Sequence, residues 1–306
     1  MCTYIETPDT KIFVDPGASL SQRFGLLPHP REYTRLKECR NKIARFADEA
    51  EIITISHYHY DHNTPIFTDY EWNFSNSEIA RQIYSGKTIL AKDTRANINP
   101  SQRRRGWMFE KSVKSWVKDL VNADGRTFTF GSTRLTFSSP VSHGEEGTSL
   151  GWVLMLTVEF GNTRIVHAPD VQGPISNSAL EALIAQHPNI VYVGGPPLYL
   201  LKYRPSSHAF EQGMRNLERL TEEVPLVILD HHLLRTEEWR EAAAPIFKSA
   251  HRAGHRVVTA AGFLGEEDQI LEARRKTLYE EEPPCEAFRR WLALPQGKRS
   301  QTRPPL

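Results

Sequence analysis

The chain has 306 residues, enough for a core that needs neither disulfide nor metal to close. Its 39% hydrophobic and 25% charged residues place it among globular sequences rather than disordered or membrane-embedded ones. A formal charge of +1 excludes a nucleic-acid binder built on bulk positive charge, though not one built on a local patch. No run reaches the ~18 apolar residues needed to span a bilayer, and the opening MCTYIETPDTKIFVDPG is polar where a signal peptide would be apolar. Cys2, Cys39 and Cys285 are far apart and form no Cys-x-x-Cys pair, as expected of a reducing compartment. The expected location is the cytoplasm, with no membrane partner.

In chain order, Thr3–Thr7 and Lys11–Asp15 read as a hairpin stopped by Pro16-Gly17. Residues 32–49 carry Leu36, Cys39, Ile43 and Phe46 at helical spacing. Ile52–Ile55 is a β-branched strand that delivers the chain to Ser56-His57. Residues 63–118 have weak periodicity and read as mixed loops and helices, with a short strand at 89–91 and a basic run at Arg103–Arg105. From Thr127 four apolar or alternating runs follow: 127–130, 133–137, 150–160 and 164–167. Helices over 176–186, 208–222 and 237–253 then alternate with strands at 190–193, 226–229 and 256–259. The Pro- and charge-rich segment 281–306 is expected to be a peripheral tail on a domain spanning 1–280. This order predicts an α/β fold with helices outside two sheets.

The chemistry concentrates in Ser56-His57-Tyr58-His59-Tyr60-Asp61-His62. Three histidines and an aspartate fall within six residues, directly after a strand. At a strand end the side chains at i and i+2 point the same way, so His57 and His59 reach one ion. If the chain then turns, Asp61 and His62 reach a second. Imidazole with carboxylate suits zinc, and also iron or manganese.

His-x-His-x-Asp-His after a strand resembles the signature of the metallo-β-lactamase superfamily, and the rest of the chain is similar to a largely prokaryotic, archaeal-type group within it. The likeness extends over Asp15-Pro16-Gly17, Ser142-His143-Gly144, His167-Ala168-Pro169-Asp170 and Leu229-Asp230-His231-His232. The resemblance implies an αββα sandwich, two mixed sheets flanked by helices, with a two-metal site at one edge between them. It implies that His57, His59 and His143 bind one ion, that Asp61, His62 and a late histidine bind the other, and that Asp170 bridges both. His231 is preferred over His232 as the late ligand, because Arg235 follows it as in the phosphodiesterase branch. Asp15 is expected to orient a ligating histidine or cap a turn, and His167 to pack in its strand.

Such a ligand set implies a hydrolase that holds two divalent ions, with zinc favoured over manganese or iron. A hydroxide shared by the ions would attack an ester-type bond, a phosphoester or a lactone, of a small or medium anionic substrate. Asp61 and His231 are assigned the catalytic roles, Asp61 as acceptor of the water proton. Candidate substrate contacts are Tyr58 and Tyr60 within the motif, Tyr199, Lys202 and Arg204 in a Gly- and Pro-shaped loop, and Arg235. A nuclease or phosphodiesterase acting on RNA or DNA is the main alternative, suggested by the triple arginine. A diiron oxidoreductase and a non-catalytic binding protein rank lower. Homo-oligomerisation is left open.

Overall fold

The structure is a computed structural model and describes residues 1–199 and 208–306. The chain divides into two compact units. The first comprises Met1–Thr94, Pro100–Asn122 and Leu271–Leu306, the second Arg95–Asn99 and Ala123–Ile270. The division expected at residue 280 coincides with none of these boundaries.

In the first unit, strands β1 (Thr3–Glu6), β2 (Lys11–Val14), β3 (Ile52–Ile55), β4 (Thr88–Ala91) and β5 (Asp119–Asn122) form one mixed sheet in the order β1-β2-β3-β4-β5. The β1–β2 hairpin is antiparallel and every later pairing is parallel. Parallel neighbours put their C-terminal ends on one edge, so Asp15, Ser56 and Lys92 leave the sheet side by side. Helices α1 (Pro30–Glu49), α2 (Ser77–Tyr84) and α3 (Pro100–Val113) serve the connections. The Asn76 side chain caps α2 by accepting from the Ile79 amide.

In the second unit, β6 (Thr127–Phe130) and β7 (Thr133–Phe137) form a hairpin, and β8 (Val141–Ser142) pairs with β9 (Trp152–Val153) in a separate two-stranded ribbon. Strands β10 (Leu156–Phe160) and β11 (Thr163–Ala168), helix α4 (Asn177–Ile184), β12 (Ile190–Gly194), α5 (His208–Glu223), β13 (Leu226–Asp230), α6 (Trp239–Ala242), α7 (Ala244–Ala253), β14 (Arg256–Val258) and α8 (Ala260–Phe263) complete it. The seven-stranded sheet runs β14-β13-β12-β11-β10-β7-β6. Its β11–β14 part is parallel and its remainder antiparallel. Val166, Ala168, Val191, Val193, Val227 and Leu229 line one face and bury themselves against Leu183, Leu217, Leu220 and Ile246 of α4, α5 and α7. Burying a residue of this size is worth about 1.5–3 kcal/mol, so this face is a principal source of the unit's stability.

The predicted α/β class with two mixed sheets and flanking helices agrees with the structure. The expected run 150–160 is two strands in two different sheets, and the expected helix 237–253 breaks into α6 and α7, where a proline near the start of α7 cannot continue a helix. The segment expected to be a peripheral tail is helical. Helices α9 (Arg275–Glu281), α10 (Glu286–Leu292) and α11 (Gln296–Gln301) belong to the first unit, where Phe288 and Trp291 are buried against Tyr33 of α1. Two buried ion pairs fix them, Arg275 with Glu32 and Arg299 with Glu71, each at 2.8 Å. Among the described residues, no helix is long and apolar enough to cross a membrane.

Candidate metal centre

The first unit presents its histidines on the loop that follows β3. The Ile52–Ile55 strand is fully buried, which fixes its end and therefore the start of the motif. His62 and Asn63 return backbone amides to the His59 carbonyl at 2.9 and 3.1 Å, making the turn that sequence reading required. Beneath this turn lies Gly17, where a side chain would sit 2.4 Å from the Asn63 nitrogen.

Asp15 organises the loop. It is fully buried, with its backbone in the left-handed region at φ 50, a conformation that aspartate tolerates better than most residues. One carboxylate oxygen accepts the Ser56 amide at 2.8 Å. The other accepts the Ser56 hydroxyl at 2.5 Å and lies 2.8 Å from His62 Nδ1. Ser56 Oγ is in turn 2.9 Å from His57 Nδ1. One carboxylate thus holds the Nδ1 side of His62 directly and that of His57 through a hydroxyl, leaving both Nε2 atoms to carry lone pairs. His57 Nε2 lies 3.1 Å from His59 Nδ1. That separation is close to the ~3.3 Å edge of a tetrahedron with zinc–nitrogen bonds of about 2.05 Å. An Asp61 oxygen and a His62 nitrogen also fall within 4.8 Å of each other.

The second unit draws a cluster of its own from three places in its sequence. Asp170 follows β11 and His231 follows β13, both at C-terminal ends of parallel strands, and both take positive φ, 47 and 70. His143 leaves β8 with its amide bonded to the Gly151 carbonyl at 2.9 Å. Around the buried Asp170 carboxylate, His143 Nε2 lies at 3.0 Å, His231 Nε2 at 3.1 Å and His232 Nε2 at 3.4 Å. Asp230 anchors the late histidines by accepting the His231 amide at 2.6 Å, and Tyr192 donates to its other oxygen at 3.1 Å. Burial, then the nearby His231 and Arg235, push the His232 pKa down to about 3, so this ring is neutral at ordinary pH. His167 packs edge-on against Tyr192 in neighbouring strands.

In the first unit Asp15, His57 and His62 each offer a donor atom within 4.8 Å of the others, and in the second three imidazole nitrogens lie 3.0 to 3.4 Å from the Asp170 carboxylate, the donor types and spacing of a divalent-cation site. The residues present therefore fit metal ions, and every sequence-assigned ligand lies in one of the two clusters.

The expected substrate contacts fare differently. Tyr58 does not face the site: it is 1% exposed, donates its hydroxyl to the Lys92 carbonyl at 2.7 Å and packs under α3, where Gly106 leaves room for its ring. An odd position on a strand exit points opposite to its histidine neighbours, which is why it turns inward. Tyr60 is half-buried with the Arg105 guanidinium 4.6 Å from its ring centre, and burial raises its pKa. The Tyr199 hydroxyl lies 3.4 Å and Arg235 Nη1 2.8 Å from His232 Nδ1. Lys202 and Arg204 lie outside the described residues. Sequence reading missed Ser56; its place between a strand and the first candidate ligand, His57, is the signal that could have found it.

Residues 1–203 match the family model of the beta-lactamase superfamily domain. The chain belongs to the beta-lactamase superfamily. Within the superfamily it is 43% identical over 283 residues to the UPF0282 protein of Methanopyrus kandleri, covering 92% of this chain and 95% of that one. It is 39% identical over 280 residues to that of Methanocaldococcus jannaschii, covering 91% of each. These identities place the chain in the archaeal-type UPF0282 group. Among solved structures, CmlA, a diiron beta-hydroxylase from Streptomyces venezuelae, superposes with a TM-score of 0.50 at 16% identity. The match covers 84% of this chain and about half, 51%, of that longer protein, and shows a shared superfamily fold.

Proposed function

We propose that this protein is a metal-dependent hydrolase that holds a pair of divalent ions. His57, His59 and His143 would hold one ion, Asp61, His62 and His231 the other, and Asp170 would bridge them. The observation that carries this reading is the way each cluster is prearranged: Asp15 holds the far nitrogens of His57 and His62, while three imidazoles converge on Asp170. Such fixed orientation of imidazole is what a metal ligand needs and what a solvated loop lacks.

When bound, the ions would supply Lewis acidity to the attacked ester and a water acidic enough to ionise near neutral pH. Asp61 would accept the proton of that water at a carboxylate oxygen. Tyr60, next in sequence to His59 and Asp61, would orient the substrate. The bond proposed is a phosphoester or a lactone-type ester of a small or medium anion. Zinc is the favoured metal. The Streptomyces neighbour is a diiron enzyme, so iron belongs in the loading series beside zinc and manganese.

The test is purified protein loaded with each metal and assayed on phosphodiester, lactone and thioester substrates. Turnover of one ester class that is lost in Asp61→Ala is the expected result. Full metal occupancy without turnover across the panel would refute the hydrolase assignment.

A second reading, hydrolysis of nucleic acid, is favoured by one observation. Helix α3 exposes Arg103, Arg104, Trp107 and Lys111 along one side, with Trp107 56% exposed and the Lys111 ammonium 5.1 Å from its ring. Basic side chains interleaved with an aromatic suit a single strand, whose bases stack and whose phosphates pair. Salt-dependent binding of single-stranded RNA, lost in Trp107→Ala, would favour this reading, and its absence would leave the small substrate.

A further inference from the structure

We propose that His232 is not a metal ligand but a fixed N–H donor facing the substrate, with its tautomer imposed by Arg235. The inference rests on the metal-centre reading above and assigns a role within it. The argument begins with the backbone. Residues His231–Arg235 form a 3₁₀-helix, in which positions three apart eclipse one another. His232 and Arg235 therefore share a face, and Arg235 Nη1 reaches His232 Nδ1 at 2.8 Å.

A guanidinium has donors and no acceptor, so Nδ1 must accept in this bond. In a neutral imidazole the ring hydrogen then resides on Nε2. A nitrogen bearing a hydrogen has no lone pair for a cation, so His232 cannot ligate through Nε2 while the bond from Arg235 stands. The adjacent His231, with Nε2 3.1 Å from Asp170, remains as the late ligand.

The Nε2–H of His232 is buried; the Asp170 oxygen 3.4 Å away is a long contact, and Nε2 makes no well-aligned hydrogen bond among the described residues. A buried donor held rigid by a cation behind it, and left unsatisfied beside the carboxylate assigned as the bridge, is suited to an oxygen that arrives with the substrate. The chemistry it fits is a phosphoryl or carbonyl oxygen whose negative charge grows as the bond is attacked. His232 would then be a catalytic residue in the sense of touching the reacting group, and Arg235 a positioning residue acting through it.

Three measurements on the full-length protein test this. Equilibrium dialysis with zinc alone should give His232→Ala the wild-type zinc stoichiometry, whereas His231→Ala should lose about one ion per chain. Inorganic phosphate should bind zinc-loaded His232→Ala about tenfold more weakly than wild type, the loss expected for one charge-assisted hydrogen bond. His232→Gln, which keeps an N–H near the Nε2 position, should recover part of that affinity. Long-range ¹⁵N–¹H spectra of metal-free protein should show His232 as the Nε2–H tautomer in wild type and as a mixture in Arg235→Met. Equal zinc loss in the two histidine variants, or an Nδ1–H tautomer in wild type, would overturn the proposal. A wild-type protein that takes up no zinc would overturn the metal-centre reading and this assignment with it.

Discussion

Gly17→Ala is the smallest change that reaches the loop carrying the candidate ligands. The added methyl carbon would lie 2.4 Å from the Asn63 nitrogen and 2.5 Å from the carbonyl carbons of Asp61 and His62. These are backbone atoms, so no side chain can swing aside. Reaching an ordinary contact of 3.4 Å requires the turn to move by 1.0 Å. Overpacking of this kind costs about 1–3 kcal/mol. For a unit of this size that corresponds to a Tm lower by about 2–12 °C. The larger effect falls on Asp61 and His62, because they ride on the displaced turn. A misplacement of ~1 Å costs about 100-fold in catalytic efficiency. Calorimetry with zinc competition and kcat/KM on the best substrate of the panel measures all three. A Gly17→Ala protein with wild-type zinc affinity and Tm would refute the close-approach argument.

Asp15→Asn keeps the shape but replaces a double acceptor with a mixed donor and acceptor, so the orientation of His57 and His62 is no longer imposed. Zinc affinity by chelator competition should fall about 10–100-fold, and an unchanged affinity would show that the Asp15–Ser56 link is not what orients them. Arg275→Met leaves the Glu32 carboxylate buried without its bidentate partner, and the urea midpoint should drop by the equivalent of about 3–5 kcal/mol while zinc stoichiometry holds. If the midpoint does not move, the C-terminal helices are not fixed by this pair. Burial pushes the Cys2 thiol up to about 12, and since the thiolate is the reactive form, Cys2 should resist iodoacetamide at about pH 8 while the exposed Cys285 is labelled. Mass spectrometry showing Cys2 labelled first would contradict that order.

The parts of the molecule that follow simple periodicity were readable without coordinates. β3 is a β-branched run with no alternative use, and it leads straight into three histidines; the alternation of helices and parallel strands after residue 163 set Asp170 and His231 at strand ends. Helix α3 was not readable, because its buried positions are Gln102, Gly106, Phe109 and Val113. The spacing is helical, but two of the four residues are not apolar, so the pattern is hidden. Tyr58 was misread for a related reason: the space for its ring comes from Gly106, which is distant in sequence. The tail was judged by its prolines and charges, whereas Phe288 and Trp291 decide its fate by packing on Tyr33. The late histidine stayed open in the sequence because two are adjacent. The contact that separates them, Arg235 on His232 Nδ1, exists only once the 3₁₀ turn has formed.

Elemental analysis of the protein as purified and after loading tests most directly the proposal that its histidines and aspartates hold a pair of cations. About two ions per chain are expected in the wild type. A fall below one is expected in Asp170→Ala, because the bridge is lost, and no change in Tyr58→Phe, which removes only a buried hydroxyl. Background metal in the loaded wild-type protein, or an Asp170→Ala variant that retains the full complement, would contradict the proposal.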